Sequence, residues 1–213
     1  MTIKDISNAE LGDHFSFIYQ NEDQLFSVLI PFFIKGLEKN QKCIYVVDKT
    51  SKQKIIAEFK KRNVNLLKFI KTGHFMFLTS KETYLKDGYF DPDIMINQLK
   101  QTEQQVLEEG YDGLRVTGSA SWILSGVKGA DRLIEYESKL CDFFHGSKTT
   151  AICQYDEKKL KPEILAESIH CHPEVIFYNK RCENLYYSHN LFANEGHKSF
   201  PTGTYKLIKD DFI

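Results

Sequence analysis

The spacing of apolar residues changes period repeatedly along this chain, and each change predicts an element. The pattern is clearest between Asp91 and Trp122. Asp91-Pro92 has the form of a helix start, with an acidic N-cap and a proline at the first helical position, where its missing N–H is not needed. Ile96, Leu99, Glu103, Val106 and Leu107 then follow the 3.6-residue repeat with one polar lapse. Gly110 fits the position just past a helix. Tyr111-Asp112-Gly113 predicts a turn and Leu114-Arg115-Val116-Thr117 a short strand. Gly118-Ser119-Ala120-Ser121-Trp122 is a small-residue loop leaving that strand's carboxyl end.

The rest of the chain reads in the same way. Phe15 to Tyr19 predicts a first strand, and Asn21 or Asp23 caps a helix from about Asp23 to Lys39. Leu25, Val28, Leu29, Phe32, Phe33 and Leu37 give that helix a face wide enough to lie on a sheet, while Pro31 predicts a bend or break. Cys43 to Val47 is nearly all apolar, as in a buried parallel strand. A helix capped by Thr50 or Ser51 runs through Arg62. Leu66 to Ile70 and Phe75 to Thr79 read as two further strands, and residues 80–89 as an irregular connection long enough to be functional. A helix over Ala130 to Phe144, a strand over Thr149 to Tyr155, a short helix over Pro162 to Ile169 and a strand over Val175 to Tyr178 complete the series. Past Asn179 the periodicity fades, with Tyr205 to Ile208 as an isolated strand. This alternation predicts an α/β fold: a mostly parallel central sheet with helices on both faces.

Composition narrows the function classes. A chain of 213 residues forms one domain with a full core. A formal net charge of −1 provides no basic field, so direct nucleic-acid binding is not expected. The five cysteines, at 43, 141, 153, 171 and 182, are odd in number and form no CxxC, which fits reduced thiols in a cytoplasmic protein. No apolar run is long enough to span a bilayer, and Met1 to Asp5 does not begin a signal peptide, so no membrane partner is expected.

A set of short segments, in order over roughly residues 12–178, resembles the MEDS domain, a sensory domain named after methanogens, methylotrophs and the regulator DcmR. The segments are Gly12-Asp13-His14, Leu29-Ile30-Pro31-Phe32-Phe33 with Gly36-Leu37, and Cys43-Ile44-Tyr45-Val46-Val47-Asp48. They continue with Gly88-Tyr89-Phe90-Asp91-Pro92, Leu114-Arg115-Val116-Thr117-Gly118 with Trp122, and Glu135-Tyr136-Glu137. Ala151-Ile152-Cys153-Gln154-Tyr155-Asp156 and His172-Pro173 close the set. The resemblance implies a degenerate RecA/KaiC-like fold and the sensing of small molecules, proposed to include C1 or hydrocarbon-type compounds. It also implies output through a histidine kinase or transcription regulator. With no kinase, receiver or helix-turn-helix segment in this sequence, a separate signalling partner is expected. Residues 1–178 would form the sensory unit, and 179–213 an extension packed on the same domain.

The chemistry-bearing residues fit this reading. The segment after the first strand, Gln20-Asn21-Glu22-Asp23, is acidic and lacks glycine, and no GxxxxGK[ST] phosphate loop occurs. Gly118-Ser119-Ala120-Ser121 lacks the second glycine of a nucleophile elbow. No catalytic role and no cofactor are therefore expected. In open α/β sheets ligands sit outside the carboxyl ends of the strands. Tyr19, Asp48, Thr117, Ser119, Ser121, Trp122 and Tyr155 are accordingly the expected ligand-binding residues, although Trp122 can equally be a core residue. Arg115 inside an apolar strand needs a partner, for which Glu135 and Glu137 are the candidates. Cys153, flanked by apolar residues, reads as an inert thiol, with Cys171 and Cys182 better placed for redox chemistry. His170, His172 and Cys182, with His189 and His197 further on, are weak metal candidates because their spacings are not those of zinc motifs.

Overall fold

The computed structural model describes residues 6–47, 51–188, 200–201 and 203–212. In chain order the regular elements are β1 (His14–Tyr19), α1 (Glu22–Glu38), β2 (Gln41–Val47), α2 (Lys52–Lys61), α3 (Leu66–Lys71), β3 (Phe75–Thr79) and α4 (Pro92–Glu108). They continue with β4 (Gly113–Ser119), α5 (Leu133–Phe144), β5 (Thr149–Asp156), α6 (Pro162–His170), β6 (Glu174–Phe177), β7 (Lys180–Glu183) and α7 (Thr204–Phe212). The seven strands form one sheet in the order β3-β2-β4-β5-β1-β6-β7. Every pairing is parallel except β6 with β7. This is the expected α/β class.

Strand parity divides the core. Phe15 and Phe17 of β1, Cys43 and Tyr45 of β2 and Ile152 of β5 pack with α1, α2 and α3 on one face. His14, Ser16 and Ile18, with Ala151, Cys153 and Tyr155, face α4, α5, α6 and α7 on the other. The first face is almost wholly apolar. The second carries a histidine, a cysteine and a buried glutamate, Glu137, among its apolar residues.

Two expected strands are helices, for the same reason. Leu66, Phe69 and Ile70 lie three and four apart and pack together on the core, while Leu67 is 58% exposed; that is a helical stripe, not a strand's alternation. In α7, Tyr205, Ile208 and Phe212 turn inward and Leu207 stays out. The hairpin strand β7, absent from the sequence reading, pairs with β6 through a turn at Tyr178. Pro31 does not break α1. The acceptor it leaves without an N–H is the carbonyl of Ser27, on the exposed face. The helix expected from Ala130 starts as a 3-10 turn and becomes α5 at Leu133.

Arg115, fully buried on β4, crosses to the α1 face. Its guanidinium donates to Gln41 Oε1 (2.7 Å), the Phe32 carbonyl (3.0 Å) and the Ala9 carbonyl (3.0 Å), and lies over the Phe32 ring at 4.6 Å. A Cβ on Gly36 would sit 2.6 Å from Arg115 Cδ, so only glycine lets the side chain cross α1 there. Among the described residues Arg115 forms no ion pair, which corrects the expected pairing with Glu135 or Glu137. Those carboxylates lie on α5, across the sheet from α1. Burial lowers the Arg115 pKa to about 10, still leaving it charged at neutral pH.

The N-terminus of α4 is fixed by Asp91, whose carboxylate accepts from the Asp93 and Ile94 amides (2.9 and 3.1 Å) and pairs with Arg132 at 2.9 Å. Arg132 also makes a two-point contact with Glu135, and Lys139 joins Glu135 to Asp93. These pairs stitch α4 to α5.

Two stability predictions follow from these contacts. Arg115→Ala leaves Gln41 and two carbonyls without their charged donor and opens a cavity; urea unfolding should show a loss of about 3 kcal/mol or more, and a loss below about 1 kcal/mol would contradict the role given to it. Asp91→Ala should cost about 1–2 kcal/mol at neutral pH. The Ile94 amide holds the Asp91 carboxyl below its usual value of 3.8, so its contribution is present above that pH and is lost as the pH falls through the lower folded value. Wild type and variant should therefore converge in stability below pH 3.8.

Candidate functional site

The crevice outside the carboxyl ends of β1, β5 and β6 is the place where this topology would hold a ligand. Here the chain's own side chains fill it. Glu157, just past β5, accepts from Gln20 Nε2 (2.7 Å) and the Tyr178 hydroxyl (3.0 Å) with one oxygen. With the other it accepts from the Tyr205 hydroxyl (2.8 Å) and Lys209 (2.5 Å) of α7. Phe212 of α7 stacks on Phe177 at 5.0 Å and holds the helix over this end of the sheet.

Of the expected ligand residues, the structure therefore places few at such a crevice. Tyr19 is buried on the α1 face beside Phe17. Asp48 lies outside the described residues. Tyr155 donates its hydroxyl to Glu137 Oε1 at 2.9 Å. Ser119 Oγ accepts from the Ser121 amide, capping a short 3-10 turn, and the buried Ser121 hydroxyl has no hydrogen-bond partner among the described residues. Trp122 is buried between Tyr84 (rings stacked, 5.3 Å) and Phe90 (4.4 Å). Ser119, Trp122, Tyr84 and Glu137 border a space of only about 10 Å³, room for one water at most.

A hollow of about 500 Å³ is bordered by Ile56, Lys60, Val64 and Leu67 around α2 and α3, and a second cavity, of about 390 Å³, lies between α4 and the face of the sheet. Its floor is Ile44 and Val46 of β2 with Leu114 and Val116 of β4, and its roof is Met95 and Leu99 of α4. Gln98, Gln101 and Gln105 give an amide rim. Thr117 borders it, although its hydroxyl already bonds the Ile152 carbonyl (2.7 Å) and Gln154 (2.8 Å). The cavity interrupts the core of this face, separating the small group Ile44, Val46, Val106 and Leu114 from the larger one around Trp122 and α5. Tyr84, from the 80–89 connection, closes one end. Its hydroxyl sits where a Cβ on Gly118 would be, 1.9 Å away.

Cys153, on the cavity wall, belongs to a second arrangement. His14 (β1), Glu137 (α5), Cys153 (β5) and His172, just past α6, bring one donor atom each within 4.8 Å of one another. His14 Nε2 is 3.3 Å from Cys153 Sγ and 3.6 Å from Glu137 Oε2. His172 Nε2 is 3.4 Å from the same oxygen, and Cys153 Sγ is 3.6 Å from it. The His14 ring is sandwiched by Phe144 (4.4 Å) and His172 (4.0 Å). His172 Nδ1 meets the Ser168 carbonyl at 2.6 Å; a carbonyl only accepts, so Nδ1 carries the hydrogen and Nε2 presents its lone pair to the cluster. Among the described residues His14 Nδ1 and His172 Nε2 have no hydrogen-bond partner. Burial pushes Glu137 up to about 7, against hydrogen bonds from Tyr155 and Cys153, and raises the Cys153 thiol well above its ordinary value. Burial also lowers His172 to about 4 and His14 well below its usual range.

These four residues are the set able to hold a metal among the described residues, and the sequence reading found one of them. His170 instead stacks on Phe200 at 4.1 Å, and Cys182 is buried on β7. His189 and His197 lie outside the described residues. Glu137 was readable: it falls four residues after Leu133, three before Leu140 and seven before Phe144, in the middle of the apolar stripe of α5. A glutamate at such a position needs a buried polar partner.

The mostly parallel seven-stranded sheet with helices on both faces defines an α/β domain. The profile of MEDS, the MEthanogen/methylotroph, DcmR Sensory domain, matches residues 13–173, and the chain belongs to that family. Among solved structures it is similar to a KaiC-like protein, PH0186, from the hyperthermophilic archaeon Pyrococcus horikoshii OT3. The two share 14% identity over 78% of this chain and 70% of that one, with a TM-score of 0.54, a likeness of fold alone. No curated protein matches the chain. No helix among the described residues is long and apolar enough to cross a membrane.

The contact at Gly118 gives a direct test of the cavity's closed end. Gly118→Ala must push the Tyr84 ring off Trp122, so the emission of this single tryptophan should change, with a stability loss of about 1–3 kcal/mol. Unchanged emission would mean that Tyr84 does not occupy that position in solution.

Proposed function

We propose that this domain is a sensor that binds a small, mainly apolar molecule in the cavity beneath α4, without turning it over. Binding is read by a separate signalling partner such as a histidine kinase or transcription regulator. The observation that carries this reading is the cavity itself: about 390 Å³ between α4 and the sheet, open to solvent at its rim and of a size within the range of ligand sites. Its floor and roof are aliphatic, and its polar rim combines Gln98, Gln101 and Gln105 with threonines and the charged Glu82 and Lys86, a lining suited to a small compound of the C1 or hydrocarbon-derivative type that carries one polar group. The family assignment as a sensory domain supports the same reading. Nucleotide binding is disfavoured because the crevice where phosphate would sit holds Glu157 and its four donors.

A ligand under α4 acts through differential affinity for two positions of that helix, which is the thermodynamic requirement for a signal. Thermal shift of the full chain against short alcohols, methylated amines and halogenated methanes is the test. At least one compound should raise the Tm, whereas ATP with Mg²⁺ should not. Leu99→Trp fills the cavity and should abolish the shift while the circular dichroism stays that of the wild type. A shift that survives Leu99→Trp would place the ligand elsewhere. No shift with any member of the panel would count against a small apolar ligand of this type.

A further inference from the structure

We propose that His14, Glu137, Cys153 and His172 form a tetrahedral metal site that holds zinc, tying β1, β5, α5 and the segment after α6 to one point. The proposal does not depend on the identity, or the existence, of a ligand under α4.

The spacing is the first support. A tetrahedral zinc with metal–nitrogen, metal–oxygen and metal–sulfur bonds of about 2.0–2.3 Å needs donor atoms about 3.3–3.8 Å apart. Of the six separations among the four donors, four are 3.3, 3.4, 3.6 and 3.6 Å, and all six lie within 4.8 Å. Four donor atoms converging on one point at these separations are close to what a bound ion needs.

The second support is what the donors do elsewhere. His172 Nδ1 donates to the Ser168 carbonyl and Glu137 Oε1 accepts from Tyr155, so these two ligands are oriented through their far atoms, leaving Nε2 and Oε2 directed inward. The His172 lone pair then faces the Glu137 oxygen at 3.4 Å, an arrangement that repels unless a cation lies between them. Nε2 is fully buried and has no hydrogen-bond partner among the described residues. A proton relieves one such contact. A divalent metal satisfies all four donors, and a thiolate, a carboxylate and two neutral imidazoles balance its charge within a buried site. The thiol proton leaves to solvent on binding, so metal uptake releases a proton. The mixed sulfur and nitrogen donors and the tetrahedral spacing select zinc over magnesium or calcium. All four positions belong to protein, which makes this a structural site rather than a catalytic one with an open position. Cys153 is the ligand that also borders the cavity, so the metal fixes part of the cavity wall.

The experiment uses the full chain expressed in zinc-supplemented medium. Elemental analysis should find one zinc per chain. After removal by a chelator, Co²⁺ should bind and give the intense visible bands of tetrahedral cobalt with a sulfur-to-cobalt charge-transfer band. Cys153→Ser should lose the charge-transfer band, and His170→Ala, outside the cluster, should keep it. The wild-type cobalt spectrum needs no variant to fold. Absence of stoichiometric metal together with no cobalt spectrum overturns the site. A charge-transfer band that persists in a folded Cys153→Ser overturns the ligand set. One equivalent of a different metal in the purified protein overturns the assignment to zinc.

Discussion

The buried guanidinium of Arg115 is the constraint on which the architecture turns. Among the described residues it makes no ion pair, and it is held by one side-chain amide and two main-chain carbonyls. Each acceptor comes from a different part of the chain: β2, α1 and the segment before β1. An unsatisfied charge in this position would cost more than the chain's whole margin of stability allows. The three parts must therefore reach their native positions together, and Gly36 must be small for the side chain to cross α1. This requirement fixes β4 against α1, and β4 in turn carries Leu114, Val116 and Gly118 to the opposite face.

The two faces have been put to different uses. The α1 face is a continuous apolar core whose polar guest is the Arg115 tie. The other face gives up continuous packing for a cavity and gathers four metal-ligating side chains beside it. Both features meet at Cys153, on β5, between the floor of the cavity and the helix that carries Glu137. Losing packed volume is unfavourable. The ion pairs of Asp91, Arg132, Glu135, Asp93 and Lys139 hold α4 on α5 at the end where the roof begins.

Much of the fold was legible because its strands and long helices are strongly periodic. Asp91-Pro92 and Gly110 marked the ends of α4, and the apolar run Cys43 to Val47 marked a buried strand. Short elements were not legible in the same way: Leu66 to Ile70 and Tyr205 to Ile208 contain too few residues for period 2 and period 3.6 to separate, and packing decided both. The site was less readable. Thr117 borders the cavity beneath α4, while Trp122 packs between Tyr84 and Phe90 and Ser119 caps a 3-10 turn at the end of β4. Arg115 was seen to need partners and was given charged ones, when neutral carbonyls were closer. Of the four clustered ligands, His172 was singled out for metal, yet with His170 and Cys182, its neighbours in sequence. Its actual companions, His14, Glu137 and Cys153, are neighbours only after the sheet has formed.

The network around Glu157 has a further meaning when treated as binding. Tyr205 and Lys209 are tethered to the crevice by the chain itself, so they act as an internal ligand at an effective concentration of about millimolar or above. Any external molecule competing for that crevice must bind tightly enough to displace them, and an anionic one must do so beside a carboxylate. The contacts of Tyr205 and Lys209 with Glu157 thus set a threshold of affinity that any molecule entering this crevice would have to exceed.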